Sequence, residues 1–307
     1  MDAGKSTTTI DPRDWALLVL LSVLWGGSFF FAGVAVRELP PLTIVSARVG
    51  LAALLLLPLH WIMIGRLPSG VRVWRAFLVM AMLNNVIPFS LIVTGQRDIA
   101  SGLASVLNAT TPLFTVVVMA AFAEEKLLHR KIVGVLAGLG GVAILRGQGF
   151  FAFADARTWG ALLCLGAALS YGFAGLWGRR HLVGVAPLTS ATCQLICSTL
   201  IMALLAAAFE RPRHLPVPSA STLWSLVGLA ALSTALAYIV FFQILVRSGA
   251  SNVMLVTLLI PVTSIFLGHF VLGEIIQVRE IIGALVIASS LLIVDGRILI
   301  FVAQRSN

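Results

Sequence analysis

A chain of 307 residues that is 59% hydrophobic and only 11% charged, with a mean hydropathy of +1.04, cannot cover a water-facing surface, which takes about 25% charged residues. The composition excludes a pair of soluble domains and fits a protein solvated by lipid. The net charge of +9 does not point to nucleic acid, because the basic residues sit in short clusters between apolar runs, the pattern of loops beside an anionic membrane surface.

Residues 1–14 are polar and read as a tail. Within it, Ala3-Gly4-Lys5-Ser6-Thr7 imitates the end of a phosphate-binding loop. The earlier glycine and the preceding strand of that motif are missing. The apolar run that follows is long enough to span, and no small-residue cleavage site follows it, so no cleavable leader is expected.

A helix crosses hydrocarbon in about 20 residues. The runs predict spans at Trp15–Val36, Leu42–Ile64, Trp74–Gly95, Ser101–Ala123 and His129–Leu145. A second set follows at Thr158–Gly178, Pro187–Phe209, Leu223–Val246, Ala250–Leu272 and Val278–Ile300, and residues 301–307 form a tail. The runs are continuously apolar, where barrel strands alternate, so the expected class is an all-α polytopic membrane protein of about ten helices. With both termini cytoplasmic, thirteen Lys and Arg fall inside and seven outside, the better of the two orientations.

The two sets resemble each other. Pro41-Leu42-Thr43 and Pro187-Leu188-Thr189 open the second and seventh spans, and Gln96 with Ser101-Gly102 is matched by Gln243 with Ser248-Gly249. Pro112, Glu125, Arg130 and Gly134 match Pro261, Glu274, Arg279 and Gly283 at one constant offset of 149. Hydrophobicity alone does not produce such identities. An odd number of spans per copy makes the second copy enter from the opposite side. Two inverted five-helix repeats, residues 15–147 and 158–300, are therefore expected around a central cavity, with a binding site near the bilayer midplane.

This paired pattern resembles the two EamA repeats of the drug/metabolite transporter superfamily. It is carried by Ser-Gly-Leu-Ala-Ser…Pro112…Glu125…Gly134 and Ser-Gly-Ala-Ser-Asn…Pro261…Leu272-Gly273-Glu274…Gly283, with Trp25-Gly26-Gly27-Ser28-Phe29 and Arg48. The first half departs from it, with Ala123-Glu124-Glu125 in place of the usual Leu-Gly-Glu. Within the superfamily the chain is most similar to bacterial YddG-type exporters of amino acids, chiefly aromatic ones. The resemblance implies a multi-pass inner-membrane exporter of small molecules working by alternating access, as a monomer or weak dimer in the bilayer.

Arg48 lies about seven residues into the second span. A charge there faces a partner or a cavity, or else snorkels to the outer interface. Its counterpart at an offset of 146 is Gln194. Pro88, Pro112 and Pro261 remove backbone donors inside spans, marking either a transport site and hinge or plain packing kinks. The adjacent amides Asn84 and Asn85 are costly in lipid unless bonded, which makes them candidates to line a cavity. Thr111, Gln243 and Thr257 are weaker candidates of the same kind, as lone polar residues often bridge helices. Trp25 with Ser28, Tyr171, Tyr238 and Phe242 are candidates to stack on an aromatic substrate, the alternative being anchors at the interface. Gly134, Gly138 and Gly283 read as scaffold packing.

Cys164, Cys193 and Cys197 fall in apolar runs without His or carboxylate partners, so no metal or other cofactor is expected. All twelve acidic residues lie at span ends or in loops. A mid-membrane relay, the usual mark of proton coupling, is absent, and facilitated equilibration is the expected mode. The alternative is a proton-coupled efflux carrier for drugs or other metabolites. A membrane-embedded enzyme lacks a clustered nucleophile, base or metal set. A channel lacks a polar stripe through several spans.

Overall fold

The computed structural model describes residues 11–125, 128–146, 155–253 and 255–295. The expected tails, the loop between the halves and everything after 295 lie outside the described residues or are described only in part. Among the described residues the chain is helical and without strands. With no water to satisfy backbone groups in hydrocarbon, each segment must bond to itself.

The first five helices are α1 (Pro12–Ala35), α2 (Pro41–Met63), α3 (Val71–Gly95), α4 (Ser101–Ala121) and α5 (His129–Arg146). The second five are α6 (Ala156–His181), α7 (Pro187–Phe209), α8 (Ala220–Gly249), α9 (Val256–Leu272) and α10 (Val278–Asp295). Seven are long and apolar enough to cross a membrane by themselves, and α9 is a shorter apolar helix. Helices α5 and α10 have 18 residues each, roughly 27 Å at 1.5 Å per residue. Starts are set locally. Asp11 and Asp155 accept the backbone N–H groups of Arg13 and Arg157, and Pro12, Pro41 and Pro187 begin helices where the missing N–H costs nothing. Large apolar side chains such as Leu204, Trp224 and Phe266 are exposed, as lipid-facing positions allow.

Two spans differ from the sequence reading. The fourth is two pieces, Ser101–Asn108 and Thr111–Ala121. Pro112 cannot donate to the carbonyl four residues back, and the Thr111 hydroxyl fills in, 2.7 Å from the Asn108 carbonyl oxygen. In the ninth, Gly249 turns with φ 78°, a short helical stretch at 250–253 follows it, and the long helix runs Val256–Leu272. The tenth is helical to Asp295, and its expected extension to Ile300 lies outside the described residues.

The halves pack through each other. Helix α1 lies against α8 and α9, and α6 lies against α3 and α4. Helix α2 pairs with α7, and α5 with α10. Exchanging the halves leaves this scheme unchanged. The α5–α10 crossing shows the same relation atom by atom. A Cβ on Gly134 would meet Val294 and the Ser290 carbonyl, and one on Gly283 would meet Leu145 and the Gly141 carbonyl. Each contact maps onto the other under the offset of 149. The two equivalent helices thus run antiparallel about a twofold axis perpendicular to them, which lies in the membrane plane. This is the inverted arrangement of two five-helix repeats.

Candidate functional site

Where the axis crosses the core, α3 and α8 each contain a π-turn, at Met82–Val86 and Ala231–Leu236. The two turns coincide under the offset of 149. A π-turn inserts a residue and leaves backbone groups in need of other partners. In α3 the bond from Ile87 N–H to the Met82 carbonyl sets an i+5 register. The donor due to the Leu83 carbonyl is then Pro88, which has none, and the Ser170 hydroxyl of α6 donates instead at 2.7 Å. In α8 the Thr234 hydroxyl donates to the Leu229 carbonyl at 2.8 Å.

Each π-turn is reached by a side chain from the opposite half. The Arg48 Nε donates to Thr234 Oγ1 at 2.9 Å, and its guanidinium carbon stands 3.6 Å from the centre of the Phe89 ring. Arg48 is 7% exposed, so it is bound across the bundle and does not snorkel to the interface. On the other side, Asn84 Nδ2 donates to Gln194 Oε1 at 3.0 Å and to the Tyr238 hydroxyl at 3.2 Å. Tyr238 donates to Asn85 Oδ1 at 3.0 Å, and Asn85 Nδ2 donates to Ser198 Oγ at 3.0 Å. The polar side chains of α2, α3, α7 and α8 thus form a seam of two hydrogen-bonded groups, Arg48 with Thr234 and the two asparagines with Gln194, Ser198 and Tyr238. Asn85 and Gln194 are buried within it.

An aromatic wall adjoins the seam. Tyr238 stacks on Phe242 at 6.0 Å, Phe242 meets Phe241 edge-on, and Phe241 lies 5.4 Å from Trp25 of α1. Ser28 donates to the Trp25 carbonyl, within its own helix. The remaining candidates lie apart. Thr111 and Pro112 sit at the break in α4. Thr257 and Pro261 line a crevice of about 430 Å³ between α9 and α10, walled by Ile265, Phe266, Ile281 and Leu285. Gln243 is exposed on the outside of α8. Gly134, Gly138 and Gly283 hold α5 and α10 close, where a Cβ would overlap the side chains of Val294, Leu113 and Leu145 respectively. Sequence reasoning missed Phe89, Ser170, Ser198 and Thr234. For Thr234 a signal existed, because the offset of 149 carries Asn85 onto it.

The ends of the bundle carry the carboxylates, and the two ends differ. At one end three carboxylates accept hydrogen bonds from the starts of helices in the opposite half. Glu210 takes the N–H groups of Leu42 and Thr43 at 2.9 and 2.6 Å. Glu274 takes those of Ser101 and Gly102 at 2.9 and 3.3 Å. Glu38 takes the N–H and hydroxyl of Ser219, and these bonds hold its carboxyl below the usual range. At the other end ion pairs predominate. Asp14 binds Arg247 and Ser248, Glu124 binds Arg180, and Glu125 binds Lys131 and Arg179. The Lys131 ammonium, hydrogen-bonded to Glu125, lowers that carboxyl's pKa. Among the described residues no three His, Cys, Asp or Glu side chains converge as a metal site.

Comparison with known proteins agrees with this architecture. The model of the EamA-like transporter family matches the chain twice, at residues 14–147 and 158–294. The chain is 26% identical over 274 residues to the uncharacterized transporter YoaV of Bacillus subtilis strain 168, spanning 88% of this chain and 92% of YoaV. It is 27% identical over 266 residues to the uncharacterized inner membrane transporter YedA of Escherichia coli K12, spanning 86% and 84%. A solved crystal structure superposes with a TM-score of 0.64 at 19% identity, covering 90% of this chain and 94% of the other, a likeness of fold. With both halves matched by one family model and the halves related by an in-plane twofold axis, this multi-pass membrane protein belongs to the EamA-like transporter family.

Proposed function

We propose that the chain is a bacterial inner-membrane carrier that moves small metabolites by alternating access, with the seam of α2, α3, α7 and α8 as its midplane site. The observation that carries this reading is the exchange of side chains across the axis: Arg48 bonds the π-turn of α8 while Gln194 bonds the π-turn of α3. A pair of halves joined by equivalent contacts has two packings of similar energy, and a solute that replaces the seam's bonds can favour passage between them.

The substrates we propose are amino acids, aromatic ones included, leaving the cell. The amides and guanidinium supply partners for a polar head, and Tyr238, Phe242 and Trp25 supply an aromatic wall. Transport is facilitative in this reading, since the seam contains Arg48 and no carboxylate among the described residues. Both termini are cytoplasmic, as the Lys and Arg placement favours.

Counterflow of radiolabelled amino acids in proteoliposomes tests the reading. Saturable exchange without a pH gradient is expected. Accumulation that requires a pH gradient overturns the facilitative mode, and a non-saturating flux overturns the carrier. Reporter fusions at both ends test the topology.

A further inference from the structure

The charge at the seam is unbalanced. Arg48 is 7% exposed, and a guanidinium keeps its proton in proteins. Its partners among the described residues are neutral: the Thr234 hydroxyl on Nε and the Phe89 ring beneath the plane. The two terminal nitrogens donate to no described residue, and every ion pair described lies at the ends of helices, away from Arg48. A buried charge without a counter-charge is strongly disfavoured unless a ligand supplies one. With Nε committed to Thr234, the free edge of the fork offers two parallel donors, the geometry that matches the two oxygens of a carboxylate.

An ammonium finds only neutral acceptors: the Asn84 Oδ1 accepts no described hydrogen bond, but it carries no charge to balance a cation. The amide oxygen of Gln194 is occupied by Asn84, and that of Asn85 by Tyr238. The one orphaned neutral acceptor nearby in α8 is the Ser233 hydroxyl, buried without a partner. No acidic side chain joins the seam among the described residues, and a cation there would be repelled by Arg48.

We infer that the seam selects its substrate by a carboxylate bound end-on to the two terminal nitrogens of Arg48, and that an ammonium group is dispensable. The substrate class is small apolar or aromatic monocarboxylates, of which amino acids are the members that also carry an amine. This inference rests on the carrier reading of the seam. It goes beyond that reading by making the deaminated acids substrates and the carboxyl-blocked amines non-substrates. The aromatic wall of Tyr238, Phe242 and Phe241 takes the apolar body.

Four phenyl compounds separate the groups: 3-phenylpropionate, phenylalanine, phenylalanine amide and phenethylamine. Each is tested as a competitor of counterflow by the purified full chain in proteoliposomes, and as a thermal stabiliser of the detergent-solubilised protein. The two carboxylates are expected to compete and stabilise at concentrations at least tenfold below those needed for the two amines. Arg48→Gln is expected to erase that difference. Arg48→Lys, which keeps a point charge without the fork, is expected to retain part of it and serves if the glutamine variant fails to fold. Equal competition by the amide and the acid overturns the inference, as does a variant that keeps the full discrimination. Equal stabilisation by sodium chloride alone assigns the charge to a small inorganic anion and also overturns it. If none of the four compounds binds while another solute shows counterflow, the carboxylate inference falls and the carrier stands. If no solute moves, the carrier reading falls, and the binding assay still decides the carboxylate preference.

Discussion

Arg48 of α2 and Gln194 of α7 occupy the same position in the two halves, one charged and one neutral, and each is bonded to the π-turn of the opposite half. The scaffold is therefore symmetric where the chemistry is not. The repeat supplies two equivalent sockets, and the sequence has placed a guanidinium in one and an amide in the other.

The bond from Arg48 to Thr234 tests the charged socket. Thr234→Val keeps the shape of the side chain and removes the acceptor of the Arg48 Nε. Leaving a buried charged donor unsatisfied costs about 1–3 kcal/mol. A lower melting temperature in detergent and slower counterflow are expected. Melting and exchange indistinguishable from wild type would mean that the bond is idle.

The neutral socket is more forgiving. Gln194→Leu removes one acceptor of Asn84, whose amide still has the Tyr238 hydroxyl. The expected loss is about 0.5–1.5 kcal/mol, the net worth of one ordinary hydrogen bond. A loss larger than that of Thr234→Val would reverse the ranking of the two sockets.

Glu274 and Glu125 are repeat mates with different duties. Glu274 accepts from the backbone at the start of α4, where a negative charge meets free N–H groups and the positive end of the helix dipole. Glu125 sits in a partly exposed ion pair, a type worth little in water. Glu274→Gln is expected to cost about 1 kcal/mol and Glu125→Gln less than about 0.5 kcal/mol, read from thermal unfolding. Equal losses would count against the assignment.

Glu38 gives an acid limb. Its carboxyl is held below the usual value of 4.5 by the Ser219 hydroxyl and N–H. A depressed carboxylate stabilises the fold fully above its unfolded value, and that contribution is lost as pH falls through the lower folded value. Melting temperature followed from pH 7 downward should therefore fall below about pH 4.5, and Glu38→Gln should flatten part of that decline. Parallel curves would show that the carboxylate contributes nothing.

The α5–α10 crossing separates two neighbouring glycines. A Cβ on Gly141 would lie 2.8 Å from Ile287 and 3.0 Å from the Gly283 carbonyl, whereas one on Gly140 meets nothing within 4 Å. Gly141→Ala is expected to destabilise by about 1–3 kcal/mol. Gly140→Ala is expected to be neutral or to stabilise by up to about 1 kcal/mol, through helix propensity. Equal behaviour would mean that the crossing is not tight.

The helices, their duplication, the buried Arg48 and Asn85 and the half-buried Asn84 were legible in the sequence because each rests on local chemistry: apolar run length, repeated identities, and polar groups that lipid does not tolerate alone. Thr234 was not legible by itself. A threonine in an apolar run carries no mark, and its role appears only when Asn85 is carried across the repeat. Gln243 shows where reading by residue type fails: its repeat mate Gln96 follows an equivalent π-turn and is buried against the Phe29 carbonyl, whereas Gln243 is exposed. Pro112 and Pro261 occupy matching positions, yet α4 breaks and α9 does not. A proline removes one donor in either case, and the surroundings decide whether the helix divides.

The two rims of the bundle answer to different solvents. Carboxylates seated on helix starts, as at Glu210 and Glu274, are short-range contacts to fixed backbone donors. The Arg180–Glu124 and Arg179–Glu125 pairs stand partly in water, where mobile ions weaken them. Raising ionic strength therefore loosens one mouth and leaves the other nearly untouched. A machine built from two copies of one part acquires, from its edges alone, a preferred side.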